Sequence, residues 1–180
     1  VKVFKFPNEL FEALRNEQPD IIGVSNYIWN FNLCISILKE SKRTNKEVVT
    51  VMGGPNITIN ENNMTEILSS GIVDYYITDS QAGGEQSFAS LVNAKLNKFS
   101  PLHADKSISG IWYLTEDGKA KYVNSLEWKK HIDWLPSPFT NGLVDKFFED
   151  GLTPMIETNR GCPFHCTFCV WGSQDTSKVS

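Results

Sequence analysis

At 180 residues the chain has room for one α/β core and part of a second unit. Hydrophobic residues make up 41% and charged residues 21%, ordinary for a globular protein, and a net charge of −4 leaves no broad basic surface for nucleic acid or anionic lipid. No apolar run approaches a membrane span and residues 1–6 lack a signal-peptide layout, so the sequence reads as cytoplasmic, with neither membrane nor nucleic acid as a partner.

The first hundred residues alternate strand and helix signals. Residues 1–6 read as a strand, and residues 8–16 as a helix with Leu10, Phe11 and Leu14 at helical spacing. Pro19-Asp20 breaks that helix before Ile21-Ile22-Gly23-Val24, a short apolar run of the buried parallel-strand type. The next helix carries Phe31, Cys34, Ile35 and Leu38 on one face and ends in the cationic stretch 39–43, suited to a helix C-terminus. Residues 47–52 read as a third strand, leading into Gly53-Gly54-Pro55. Met64, Ile67 and Leu68 then mark a helix that stops at Gly71, residues 73–78 a fourth strand, and Phe88, Leu91, Val92 and Leu96 a further helix. Such β-α repetition predicts a Rossmann-like parallel sheet with right-handed crossovers and helices on both faces, and ligands beyond the carboxyl ends of its strands.

The pattern changes after residue 100. Residues 108–114 and 119–123 flank Thr115-Glu116-Asp117-Gly118 and read as a β-hairpin. Residues 127–141, with Trp128, Trp134, Pro136 and Pro138, are too aromatic for disorder and read as an ordered connector. Residues 155–158 read as a strand running into a cysteine-rich loop.

Of four cysteines, Cys34 stands alone on a helix face, while Cys162, Cys166 and Cys169 crowd into one loop. Without a secretory signal that distribution favours thiols kept for metal over a disulfide framework. Three soft thiolates on one short loop suit a cubane iron–sulfur cluster, with one iron left open to a small molecule. A zinc site recruiting His165, or cysteines packed as small hydrophobes, are the other readings of the same residues.

The stretch Glu157-Thr158-Asn159-Arg160-Gly161-Cys162-Pro163-Phe164-His165-Cys166-Thr167-Phe168-Cys169 resembles the signature of the radical S-adenosylmethionine (SAM) superfamily. The resemblance implies that Cys162, Cys166 and Cys169 ligate a [4Fe–4S] cluster at the end of a first barrel strand. SAM then occupies the open iron and is cleaved reductively, and Phe168 lies near its adenine. It also implies an electron donor such as flavodoxin or ferredoxin, and a small-molecule or peptide substrate.

Upstream, Asp20-Ile21-Ile22-Gly23-Val24-Ser25-Asn26-Tyr27 and Val49-Thr50-Val51-Met52-Gly53-Gly54-Pro55 resemble the cobalamin-binding domains fused to radical-SAM barrels. By that resemblance Ser25, Asn26, Tyr27, Gly53, Gly54 and Pro55 line the slot for the cofactor's nucleotide tail. Gly83-Gly84-Glu85-Gln86 is similar to a third cofactor loop and adds Gly84 and Glu85 as candidates. No Asp-x-His-x-x-Gly axial-ligand motif is present, and Tyr27, Trp29 and Asn30 are candidates for the region under the cobalt.

The expected organisation is therefore a cobalamin-binding-like Rossmann domain over residues 1–100, whose first strand lies outside the chain. A hairpin and connector follow over 101–152, and the start of a radical-SAM domain over 153–180. A complete barrel takes roughly 200 residues or more, so the chain reads as a fragment of a cobalamin-dependent radical-SAM enzyme, with methyl transfer as the implied chemistry. A radical-SAM enzyme whose N-terminal domain does not bind cobalamin, or a non-catalytic zinc-stabilised module, are the alternatives.

Overall fold

Helical periodicity and apolar runs translate into ten elements in the computed structural model, which describes residues 1–78, 84–97, 108–123, 133–149, 151–156, 163–164 and 166–169. They are α1 (Pro7–Asn16), β1 (Ile21–Ser25), α2 (Phe31–Thr44), β2 (Val49–Gly53), α3 (Glu61–Ser69), β3 (Tyr75–Ile77), α4 (Gly84–Leu96), β4 (Ile111–Leu114), β5 (Ala120–Val123) and α5 (Lys146–Glu149). The chain divides into two compact units, Phe11–Glu127 and Val1–Leu10 with Trp128–Ser180.

The larger unit is built on a five-stranded sheet in the order β1-β2-β3-β4-β5. β1, β2 and β3 are parallel, as the β-α alternation predicts, while β4 and β5 form an antiparallel hairpin on the β3 edge. Alternation along each strand sorts side chains to two faces. Val49, Val51, Tyr75, Ile111 and Tyr113 pack on one side with Leu91 and Ala94 of α4. Met52 and Tyr76 pack on the other with Cys34 and Leu38 of α2 and Met64 and Leu68 of α3. β2 is therefore covered on both faces, and Val49, Thr50, Val51 and Met52 are all buried.

Local chemistry ends the elements where the sequence suggests. The Asn60 side chain accepts from the Asn63 amide at 2.9 Å and caps α3. Gly71 follows α3 with φ +68°, a left-handed conformation that glycine adopts without strain. In the hairpin turn Thr115 donates its amide to the Lys119 carbonyl at 2.8 Å, and the Ala120 amide reaches Thr65 of α3 at 2.9 Å.

At the amino end of the parallel strands, Asp74 joins β2, β3 and α2. Its Oδ2 accepts from Lys42 Nζ at 2.6 Å, the Thr50 amide at 2.8 Å and Thr50 Oγ1 at 2.9 Å. Thr50 is fully buried, so its hydroxyl depends on this carboxylate.

One expected strand is absent, and the described half of another is not strand. Residues 1–6 form no strand: among the described residues the segment finds no sheet neighbour, and it runs straight into α1, with Phe4 beneath the Lys146 ammonium at 5.4 Å. Met155 and Ile156 are likewise outside any strand and highly exposed, because among the described residues no ladder partner meets them; Glu157 and Thr158 lie outside the described residues. An extended apolar segment becomes a strand only when a neighbour accepts its backbone hydrogen bonds. Of the predicted connector, residues 133–149 form turns and the short helix α5, and Trp128 lies outside the described residues.

Replacing Asp74 with Ala leaves the buried Thr50 amide and hydroxyl without their acceptor and Lys42 with the Val48 carbonyl in place of an ion pair, and is expected to cost about 1–3 kcal/mol, read as a lower denaturant midpoint with an unchanged slope. Tyr75 carries a second prediction. Burial, reinforced by Asp74 and Tyr113, pushes its hydroxyl up to about 12. The unfolded phenol ionises near pH 10, so between roughly pH 10 and about 12 only the unfolded state releases this proton, and stability falls as pH rises through that window. Tyr75→Phe should flatten this alkaline slope in pH-dependent unfolding; a slope unchanged by the substitution would contradict the assignment.

Candidate functional site

Three parallel strands paired in register must end together, and they end on one row: Ser25 beside Gly53, and Gly53 beside Ile77. The loops leaving this row, 26–30 after β1 and 54–60 after β2, form the candidate site. Small residues at Ser25 and Gly53 keep the row bare. A Cβ on Gly53 would stand 3.3 Å from the Ile77 carbonyl oxygen.

Asn26 holds the two loops together. It is fully buried, and its amide donates to the Gly53 carbonyl at 2.5 Å. Its Nδ2 donates to Tyr76 Oη at 3.1 Å, and its Oδ1 accepts from Asn56 Nδ2 at 3.2 Å. Tyr76 completes the circuit by donating its hydroxyl to the Gly54 carbonyl at 2.8 Å. Burial raises the Tyr76 pKa against the opposing Asn26 hydrogen bond, with a further upward contribution from Cys34, so the phenol remains a donor at neutral pH.

Gly54 permits this closure. Its φ is +126°, and a Cβ there would lie 2.3 Å from the Asn26 carbonyl oxygen and 2.9 Å from its nitrogen. The paired glycines therefore serve loop-against-loop packing as much as any approach of a ligand.

The β1–α2 loop is tightened from within. The Ser25 carbonyl accepts from Asn30 Nδ2 at 2.8 Å and from Cys34 Sγ at 3.2 Å, while Asn30 Oδ1 accepts the Tyr27 amide at 2.7 Å. Burial raises the Cys34 thiol pKa, and the residue acts as a packed donor on the inner face of α2. What the loop displays is apolar. Tyr27 and Trp29 stack with ring centroids 4.8 Å apart and planes within 9°, and Trp29 is 78% exposed. Beside the β2–α3 loop a cleft of about 240 Å³ is lined by Phe31, Asn56, Ile57, Asn63, Glu66 and Ile67.

The structure thus brings Ser25, Asn26, Tyr27, Gly53, Gly54 and Pro55 to one end of the sheet, with Asn26 engaged inside the protein and Tyr27 and Pro55 exposed. Gly84 and Glu85 open α4, which follows β3. Sequence reasoning passed over Tyr76 and Asn56. Tyr76 sits in an apolar strand like any core aromatic, and its only signal is its place just ahead of a strand end.

The cysteine loop belongs to the other unit. Cys166 and Cys169 are free thiols, the first exposed and the second half-buried, and the Cys169 amide donates to the Cys166 carbonyl at 3.1 Å. Phe168 is 92% exposed. Cys162 and His165 lie outside the described residues; among those described, no three metal-ligating side chains gather. Two free thiols in a single turn are the soft donors an iron–sulfur cluster takes.

A parallel sheet with clamped loops at its carboxyl edge defines an α/β ligand-binding domain. Residues 3–83 match the B12 binding domain family. Its similarity to whole proteins extends further. The chain is 32% identical over 171 residues to the cobalamin-dependent radical SAM methyltransferase TokK of Streptomyces tokunonensis, an alignment covering 90% of this chain and 23% of TokK. It is 31% identical over 165 residues to the uncharacterized methyltransferase PH0819 of Pyrococcus horikoshii, covering 90% and 34%. It is 26% identical over 172 residues to 2-(S-pantetheinyl)-carbapenam-3-carboxylate methyltransferase of Streptantibioticus cattleyicolor, covering 89% and 23%. The chain therefore spans between about a quarter and a third of the length of these relatives. For a corrinoid, the site offers a bare row of strand ends and a flat, exposed aromatic pair, which suits a broad macrocycle with an apolar face.

Gly54→Ala forces a positive φ and a backbone overlap at once, and is expected to cost more than about 2 kcal/mol. Tyr76→Phe leaves Asn26 Nδ2 and the Gly54 carbonyl unpartnered and is expected to cost about 1–3 kcal/mol. Chemical denaturation of both variants checks this, and wild-type stability in either would remove the clamp from the account.

Proposed function

We propose that this chain binds cobalamin across Ser25, Gly53 and the Tyr27–Trp29 pair, and carries Cys162, Cys166 and Cys169 as ligands of a [4Fe–4S] cluster, within a SAM-dependent radical methyltransferase. The observation that carries the reading is the clamped row of strand ends with the aromatic stack beside it. The match of residues 3–83 to the B12 binding domain family and the similarity to the cobalamin-dependent methyltransferase support it.

When bound, cobalamin would supply a transferable methyl group, and the cluster the electron that activates SAM. The chain's own residues prepare the sites. Asn26, Tyr76 and Gly54 set the two loops before the ligand arrives, so little loop entropy remains to be lost on binding. Tyr27 and Trp29 present a flat apolar surface that excludes water from one side of a bound ring. No described side chain of the β1–α2 loop is a histidine, so a nitrogen ligand to cobalt from that loop is not part of this reading. The Cys166–Cys169 turn places two thiols on one short segment, and Cys162 would complete the set.

Anaerobic titration of the full-length protein with cobalamin, followed by absorbance, should show saturable stoichiometric binding, weakened about 3- to 10-fold by Trp29→Ala. Absence of binding would exclude the cobalamin half. Reconstitution with iron and sulfide should yield a cluster signal that shifts on adding SAM and is lost when Cys162, Cys166 and Cys169 are replaced by Ala. Stoichiometric zinc with no cluster formation would favour a zinc-stabilised module instead.

A further inference from the structure

The cleft beside the β2–α3 loop lies apart from the row of strand ends. No strand residue lines it: its walls come from Phe31 at the start of α2, Asn56 and Ile57 of the loop, and Asn63, Glu66 and Ile67 of α3. Phe31, Ile57 and Ile67 pack on the core cluster of α2 and α3, the face of the sheet opposite to α4. At about 240 Å³ the cleft falls below the roughly 300–1,000 Å³ of sites for drug-sized ligands, and suits a small molecule or one end of a larger one.

Its polar atoms are mostly of one kind. Asn56 Nδ2 donates to Asn26 Oδ1 at 3.2 Å, and Asn63 Nδ2 donates to the Thr58 carbonyl at 2.8 Å. Both partners are oxygens with no hydrogen to give, so neither amide can be flipped. Asn26 is itself fixed, because the Tyr76 hydroxyl spends its proton on the Gly54 carbonyl and can only accept from Asn26 Nδ2. What the two amides and Glu66 have left to offer is mainly oxygen. Asn56 Oδ1, Asn63 Oδ1 and the Glu66 carboxylate take no hydrogen bond from another described residue. The Asn63 backbone amide, which in the first turn of a helix would draw an anion, is taken by the Asn60 side chain at 2.9 Å.

Charge points the same way. Residues 26–38 and 47–94, which include every segment that builds the cleft, contain no lysine or arginine. Glu66 forms no ion pair among the described residues, so its charge is unanswered from within these segments.

We infer that this cleft is a binding site for the ammonium end of a small primary amine. An alkylammonium carries N–H donors and no acceptor, which matches a lining that offers oxygen. Its carbon stem lies on Ile57 and Ile67, and the Phe31 ring supplies a surface to which a cation is drawn. A hard metal ion wants about six or more oxygen ligands, whereas Phe31, Ile57 and Ile67 make half of this lining hydrocarbon. Asn56 belongs both to the cleft and to the loop clamp, so an amine held here sits one hydrogen bond from Asn26. Nothing in this assignment requires bound cobalamin.

Full-length protein labelled at its isoleucine methyl groups tests it, because Ile57 and Ile67 report from the cleft wall. Titration with n-butylammonium at constant ionic strength should move both methyl resonances saturably and leave that of Ile111, on the α4 side, in place. The neutral n-butanol and the anionic butyrate should move them about 3-fold less or not at all at equal concentration. Glu66→Gln, a change at an exposed position, should weaken butylammonium binding about 3- to 5-fold, the range of a solvent-exposed ion pair. Absent shifts at Ile57 and Ile67 would overturn the inference. So would equal shifts with n-butanol, larger shifts with butyrate, or undiminished affinity in the Glu66 variant.

Discussion

The arrangement at the carboxyl end of the parallel strands depends on one buried amide. Asn26 leaves β1 with its side chain turned into the protein, where it meets Tyr76 from β3 and Asn56 from the β2–α3 loop, and its backbone meets Gly53. Three strands that would otherwise release independent loops release a joined pair. A neutral network of this kind carries no charge-desolvation penalty, and every member is satisfied, the condition under which buried polar groups specify one arrangement. It also explains the residue types around it. Gly54 has no side chain because Asn26 occupies that space, and Tyr76 is a tyrosine because both Asn26 and the Gly54 carbonyl need its hydroxyl.

The two ends of the parallel strands are fastened differently. At the amino end the link is ionic: Asp74 takes Lys42 and both donors of Thr50 on one oxygen. At the carboxyl end the link is uncharged and leaves the outer surface apolar, with Trp29 and Ile28 projecting. Charge fastens the amino end, while neutral groups fasten the carboxyl end. The hairpin of β4 and β5 covers the β3 edge with antiparallel pairing, so β2 and β3 are flanked on both sides and β1 is the outer parallel strand.

Much of this was legible in the sequence because apolar period and glycine placement are local properties. The runs at Ile21 and Val49, the helical face of Cys34 and Leu38, the stop at Gly71 and the Thr115–Gly118 turn all lie where pattern alone puts them. Residues 1–6 and the Met155-Ile156 pair have strand-like composition yet form no strand, since composition does not state whether a neighbouring backbone is present. Asn26 and Gly54 were picked out as candidates through a resemblance, but their packing roles were not legible. The contact between Asn26 and Tyr76 spans fifty positions and involves two residue types common in strands and turns, so nothing local announces it.

The central claim is that the two clamped loops act as one seat for cobalamin. Hydrogen exchange of the full-length protein with and without cobalamin tests it most directly. The account predicts added protection together in residues 25–30 and 53–57, with the Asp74 anchor and the Thr115–Gly118 turn unchanged. Protection confined to the hairpin, or spread evenly over the sheet with none at these loops, would contradict it.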